Sequence, residues 1–279
     1  DGELSMPRHF NSNAYRYPNE HLILAGTLIL VIAIVALTAT ATVCLSLVFI
    51  LGVIVFGYLA SRAQHKALLS QARLVSPQTA PDLAPLVSAA QARLQVEPVQ
   101  IFIVNNRSLN AYTFGMDSPK AIVLYSGLFQ LMDRDELQFI LGHELGHVDL
   151  GHTWLNTLIG GMAGIPSTFG AAAILELAFR WWNRACEYSA DRAGVLACNN
   201  PNKAITALIK LEAGLNARTQ AGIIRTIERI ESQDDDLMNN LAELLATHPL
   251  IINRIEQIRK YAASAEYQYL QAQMNNNLE

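Results

Sequence analysis

Leu137-Gln138-Phe139-Ile140-Leu141-Gly142-His143-Glu144-Leu145-Gly146-His147-Val148 is the stretch that decides how this chain is read. Leu137, Ile140, Leu141, Leu145 and Val148 recur at helical spacing and predict an amphipathic helix. The helix starts near Asp133 or Asp135, because acidic groups in a first turn suit the helix dipole. On a helix, positions i and i+4 lie one turn apart on one face. His143 and His147 can therefore grip one metal ion together.

H-E-x-x-H on a helix is a zinc-hydrolase signature, so zinc is the expected metal, one ion per chain. Catalytic zinc takes three protein ligands plus a water. Glu144 lies beside the first ligand, within reach of that water, and reads as the general base. Gly146 reads as leaving space for substrate. A third ligand is needed, and Glu187 and Asp191 share a helix face four residues apart downstream. Glu187 completes a His2Glu set, and Asp191 orients a ligand histidine from behind. Asp149 points away from the pair, and Glu176 ends an apolar run.

Upstream, 99–104, 109–114 and 121–125 read as short strands. Asn105-Asn106 and Asp117-Ser118-Pro119 supply turn chemistry between them. Residues 61–95 read as a polar, helix-prone linker broken by Pro77, Pro81 and Pro85. Before that, 22–60 holds no charged residue. A spanning helix needs about 20 apolar residues, so a hairpin of two helices fits this length better than one span. Its turn is expected at Thr38-Ala39-Thr40-Ala41-Thr42. Arg8 and Arg16 before the run, and Arg62, Lys66 and Arg73 after it, put both flanks in the cytoplasm by the positive-inside rule.

Downstream, 155–175 is again uncharged. His147 and Glu187 must meet on one metal, so any crossings between them are even in number. Two crossings need about 40 apolar residues, more than this interval offers, and Gly160, Gly161, Gly164, Pro166 and Gly170 interrupt it. A buried or membrane-grazing helical hairpin over the site is expected instead. Helices follow at 201–216, 219–230 and from 237 onward, and 271–279 reads as frayed.

The chain has 279 residues and a net charge of −4, which gives no basic surface for nucleic acid. Its three cysteines, Cys44, Cys186 and Cys198, form no CxxC pair and no disulfide framework. Cys186 and Cys198 read as small buried hydrophobes.

The sequence resembles the HtpX-like and CAAX-protease family of membrane zinc endopeptidases, the gluzincins, over roughly 65–260. The resemblance rests on H-E-L-G-H at 143–147 extended to His152, on Glu187-x-x-x-Asp191, on Asn110-Ala111-Tyr112, and on Thr247-His248-Pro249 with Arg254. It implies that Asn110, Ala111 and Tyr112 form an edge that pairs with an extended substrate. It also implies that His248 helps stabilise the oxyanion and that Arg254 supports the site near Asp191. His152, five residues from His147, leaves the shared face and reads as structural.

The sequence therefore predicts an α+β, mainly helical chain: a zincin-type catalytic domain with a small sheet, plus an N-terminal transmembrane hairpin. The expected divisions are an N-terminal segment (1–21), the membrane segment (22–60), a helical linker (61–95), the metallopeptidase domain (96–265) and a polar tail (266–279). The expected activity is endopeptidase cleavage of membrane or membrane-proximal proteins in quality control, from an inner membrane of bacterial type with the site facing the cytoplasm. The partners are then a peptide strand and the lipid bilayer, and an oligomer is compatible with them. A catalytically silent scaffold and a CAAX-processing enzyme are the alternatives.

Overall fold

The computed structural model describes residues 12–41, 70–97, 99–114, 120–153, 170–216 and 249–276, with scattered positions between 48 and 66. A 3-10 turn at Ser12–Tyr15 leads to helix α1 (Glu20–Ala41). Strand β1 (Arg73–Leu74), α2 (Ala84–Leu94), β2 (Gln100–Val104), β3 (Ala111–Phe114), β4 (Ala121–Tyr125) and the one-turn α3 (Leu128–Leu131) follow. Then come α4 (Arg134–Asp149), α5 (Gly170–Cys198), α6 (Pro201–Asn216), α7 (Pro249–Ala262) and α8 (Ala265–Asn276). The chain is mainly helical with one small sheet, as the sequence predicts.

The sheet has the order β1-β2-β4-β3. β2 and β4 run parallel, from Gln100 opposite Ala121 to Val104 opposite Tyr125. β3 pairs antiparallel with β4, Ala111 opposite Leu124 and Phe114 opposite Ala121. β3 is therefore an edge strand, with no strand on its other side among the described residues. Ile122, Val123 and Leu124 of β4 are all fully buried, as a central strand covered on both faces requires.

α4 is the central helix. A capping box starts it: the Asp133 side chain accepts from the Glu136 N–H at 3.0 Å, and the Asp133 N–H donates to Glu136 Oε2 at 2.8 Å. Every residue from Gln138 to Val148 is buried, so the helix is packed on all sides. Glu136 is buried as well and is met by Lys210 Nζ at 3.1 Å. Replacing Asp133 by Ala removes the cap, and about 1 kcal/mol of stability is expected to go with it. Urea unfolding would read that loss as a lower midpoint at unchanged slope. The Asp133–Lys203 ion pair, roughly 40% exposed on each side, adds little to it.

α5 faces two partners in turn. Its C-terminal half packs against α4, while Phe179, Trp182 and Cys186 pack against Ile23, Leu24 and Val31 of α1. Apart from that contact α1 is open. Only 6% of its apolar window is buried, and Leu22, Ile29, Ile32 and Leu37 stand exposed around it. It is the one helix among the described residues long and apolar enough to cross a membrane. Below it, Arg192 of α5 is sandwiched between the rings of Tyr17 (5.6 Å) and Tyr261 (4.5 Å), tying the N-terminal segment to α7.

Several sequence expectations are corrected. The threonine-rich stretch is no turn as far as Ala41: Thr38 Oγ1 donates to the Ile34 carbonyl at 2.9 Å and Thr40 Oγ1 to that of Leu37 at 2.8 Å. Threonines that bond back to their own helix need not break it. The rest of 42–60, apart from scattered helical positions, lies outside the described residues. The linker is no simple helix either. It carries β1, and Pro85 sits in the first turn of α2, where a missing N–H costs nothing. The C-terminal tail is ordered helix to Asn276. Tyr267, Leu270, Gln271 and Met274 recur at helical spacing and are buried, a face thin enough to hide among Gln and Asn. Of the hairpin expected at 155–175, residues 170–175 are instead the start of the single long α5, while 154–169 and the expected helix at 219–230 lie outside the described residues. Cys186 is buried and Cys198 half-buried.

Candidate metal centre

α4 and α5 meet unusually closely. A Cβ on Gly142 would stand 2.4 Å from Ala197 Cβ, and one on Gly146 would stand 2.6 Å from Ala193 Cβ. Gly194 in turn accepts the ring of Phe139. Gly146 therefore does not clear room for substrate. Its missing side chain faces α5 and lets the two backbones touch.

That approach brings His143 and His147 of α4 to Glu187 of α5. The two Nε2 atoms are 3.2 Å apart. Glu187 Oε2 lies 3.6 Å from Nε2 of His143, and Oε1 lies 3.4 Å from Nε2 of His147. Zinc at ~2.0–2.1 Å from each of two tetrahedral ligands separates them by about 3.3 Å, so this donor set fits the ion. Glu187 keeps 38% of its side chain exposed, which leaves the open side facing the cleft.

Both outer imidazole nitrogens are held. His143 Nδ1 donates to Asp191 Oδ1 at 3.0 Å. Asp191 accepts a two-pronged grip from Arg254, Nε to Oδ2 at 2.8 Å and NH2 to Oδ1 at 2.6 Å. Arg254 NH1 also reaches Glu187 Oε2 at 3.1 Å. Burial alone would raise both carboxyls, but the guanidinium and the imidazoles hold Glu187 well below the usual carboxylate range and Asp191 below it too. The same carboxylates push Arg254 further up, against the effect of its burial.

His147 Nδ1 lies 3.0 Å from Nδ1 of His152. α4 ends at Asp149, and Gly151 takes a left-handed φ of 75° that reverses the chain. His152 thus returns beneath His147 instead of continuing around a helix, which the i+5 spacing did not foretell. Burial pushes its pKa down to about 4, so the ring is neutral at pH 7. Its Nε2 lies 3.1 Å from Oε1 of Glu20, the first residue of α1. Sequence reasoning missed Glu20. The available signal was a carboxylate set at the very lip of an uncharged run.

Glu144 is buried beside the pair, and Thr113 of β3 donates its hydroxyl to Oε2 at 2.5 Å. Thr113 was not foreseen. Asn110 immediately precedes β3, and its carbonyl accepts the Tyr125 N–H at 3.0 Å. Ala111 and Thr113 share one face of β3 and line, with His143, Glu144 and His147, a cleft of about 490 Å³. Tyr112 lies between them in the strand. His248 falls outside the described residues.

The model of Peptidase family M48 matches residues 77–262. The chain belongs to Peptidase family M48. The resemblance to HtpX-like enzymes holds with it, and the matched stretch is close to the 65–260 expected. A plastoglobule-localized metallopeptidase 48, chloroplastic, from Arabidopsis thaliana is 30% identical over 217 residues, 72% of this chain and 63% of that protein. This chain thus spans under two thirds of that relative's length. Protease HtpX homologs from Thermococcus kodakarensis (26% over 231 residues) and Streptococcus thermophilus (27% over 237 residues) are covered to 77% of their lengths, by 68% and 69% of this chain. As a member of family M48 the chain is a metallopeptidase. The segment 12–20, with Glu20, lies before the M48 match yet packs on its core: Tyr15 is fully buried, and the Tyr17 N–H donates to Ser189 Oγ at 2.8 Å.

Proposed function

We propose that this M48 metallopeptidase is a zinc endopeptidase that cuts extended segments of membrane or membrane-proximal proteins, held at the cytoplasmic membrane face by α1. One observation carries the zinc reading. Two Nε2 atoms and a carboxylate converge at ligand spacing while each Nδ1 is fixed from behind.

His143, His147 and Glu187 would hold the ion. When bound, zinc polarises the scissile carbonyl and lowers the pKa of the attacking water. Glu144 takes the water's proton and delivers it to the leaving amine. Thr113 holds Oε2 of Glu144, which leaves Oε1 for that transfer. The resemblance places an extended peptide along Asn110, Ala111 and Tyr112. On this edge of β3, unpaired among the described residues, Asn110 and Tyr112 turn their main-chain groups to β4, so Ala111 and Thr113 offer theirs to the peptide alongside the metal site. His248, by resemblance, donates to the oxyanion. Arg254 bridges Asp191 and Glu187, sets one positive charge between them and fixes their positions.

The open apolar surface of α1 supports a lipid setting, since a core helix of a soluble protein would be covered. Residues 15–20 dock on the same body that receives Arg73 and Leu74 into its sheet. Both flanks of the apolar run then lie on one side, so a crossing by α1 obliges a second before residue 73. That favours the hairpin over a single span, and Arg16 and Arg73 favour the cytoplasm for the shared side. Quality control of membrane proteins is the role that fits this placement and the resemblance to HtpX-like enzymes.

Metal analysis tests the centre. Purified protein is expected to carry one zinc per chain, and Glu187→Ala to lose it. Equal zinc content in both would remove Glu187 from the ligand set.

A further inference from the structure

Behind the centre lies a second cluster, Glu20, His152 and Cys186, all buried, with donor atoms within 4.8 Å of one another. It could be a second cation site or a hydrogen-bonded relay. Arg16 decides against the cation: its guanidinium is already bonded to Glu20 Oε1. The other oxygen of Glu20 accepts the Ser189 hydroxyl. The carboxylate is therefore fully engaged, and a cation sits beside it already.

We infer that Glu20, in the first turn of α1, is a positioning residue for the metal ligand His147 and acts through His152. The inference rests on the zinc reading above. Hydrogen-bond direction carries it. A carboxylate only accepts, so His152 Nε2 bears the proton and donates to Glu20. With its proton on Nε2, His152 presents a lone pair on Nδ1 at 3.0 Å from His147 Nδ1, which donates to it. His147 Nε2 is left bare and turned toward His143 and Glu187. Each ring is limited to one tautomer, and Glu20 sets both. Glu20 is itself fixed, only 2% exposed, in a segment anchored by Tyr15 on Asp149 and by Arg16 on the Leu150 carbonyl at 3.1 Å. His143 has its carboxylate, Asp191, within the family core. His147 reaches its carboxylate on the apolar helix.

The test uses the full chain in detergent, with zinc affinity read by competition against a chromogenic chelator. The visible spectrum of the cobalt-loaded protein reports ligand geometry. Glu20→Ala and His152→Ala are each expected to weaken zinc binding about 10–100-fold and to shift the cobalt bands. The double variant should bind no more weakly than the weaker single one. Glu20→Gln keeps an acceptor oxygen of the same size and should recover most of the affinity. Tyr15→Phe removes one hydrogen bond from the docked segment and leaves the relay atoms themselves in place, so it should move both readouts far less than Glu20→Ala. Wild-type affinity and spectrum in Glu20→Ala and His152→Ala would overturn the relay, as would an equal loss in Tyr15→Phe. A wild-type protein that takes up no zinc would instead overturn the zinc reading beneath it.

Discussion

Glu144→Gln is expected to stay folded and zinc-loaded while peptide hydrolysis falls by about 10³-fold, within the range of general acid–base catalysis. The substitution keeps the shape of the side chain. Thr113 can still donate to the amide oxygen, so the cleft keeps its packing. No ligand is lost, because Glu144 is not among the three converging donors. What disappears is a group able to take a proton from water and pass it to the amine. Casein cleavage with zinc content measured in parallel reads both halves of the expectation. Equal cleavage by the variant would take the base role from Glu144, and loss of zinc would make it a ligand.

Gly146→Ala is expected to damage the site without touching a polar atom. Alanine is the better helix former by ~1 kcal/mol, so propensity alone predicts a gain. The new Cβ would stand 2.6 Å from Ala193 Cβ, where carbon atoms prefer about 3.5–4.0 Å. α4 and α5 must part by roughly that difference, and overpacking of this kind costs about 1–3 kcal/mol. His147 rides on α4 and Glu187 on α5, so their 3.4 Å separation widens with the helices. A lower melting temperature and at least about tenfold weaker zinc binding should follow, since tenfold corresponds to about 1.4 kcal/mol. Adding Ala193→Gly removes the clash and leaves the nearest remaining neighbour at 3.3 Å, so the pair should recover most of both losses. An unchanged single variant would show that helix contact does not set the ligand spacing.

What the sequence discloses is what local periodicity controls. α4 is legible from its apolar spacing, and its start from Asp133 and Glu136, because caps and i+4 faces act within a few residues. The same rule puts Glu187 and Asp191 on one face of α5. β2, β3 and β4 fall within two residues of their expected bounds. Glu20 is different in kind. It meets His152 across 132 residues, and no local pattern encodes that meeting. The glycines mislead for a related reason: absence of a side chain says that something comes close, not what. Gly146 admits Ala193 of α5, not the substrate. β1 pairs through two residues, too short to leave a pattern.

The supports behind the two ligand histidines come from opposite sides of the α4–α5 pair in sequence. Glu20 precedes α4 and α5 in the chain and supports His147 through His152, whereas Arg254, which bridges Asp191 and Glu187, follows both helices. A nascent chain with α4 and α5 complete already owns every proposed ligand. It still has two facing acids without their guanidinium until α7 has emerged and docked. A chain cut between α5 and α7 would therefore keep the ligands yet leave Glu187 and Asp191 facing the imidazoles without their countercharge, and it is expected to hold metal in a less ordered site than the chain that includes α7.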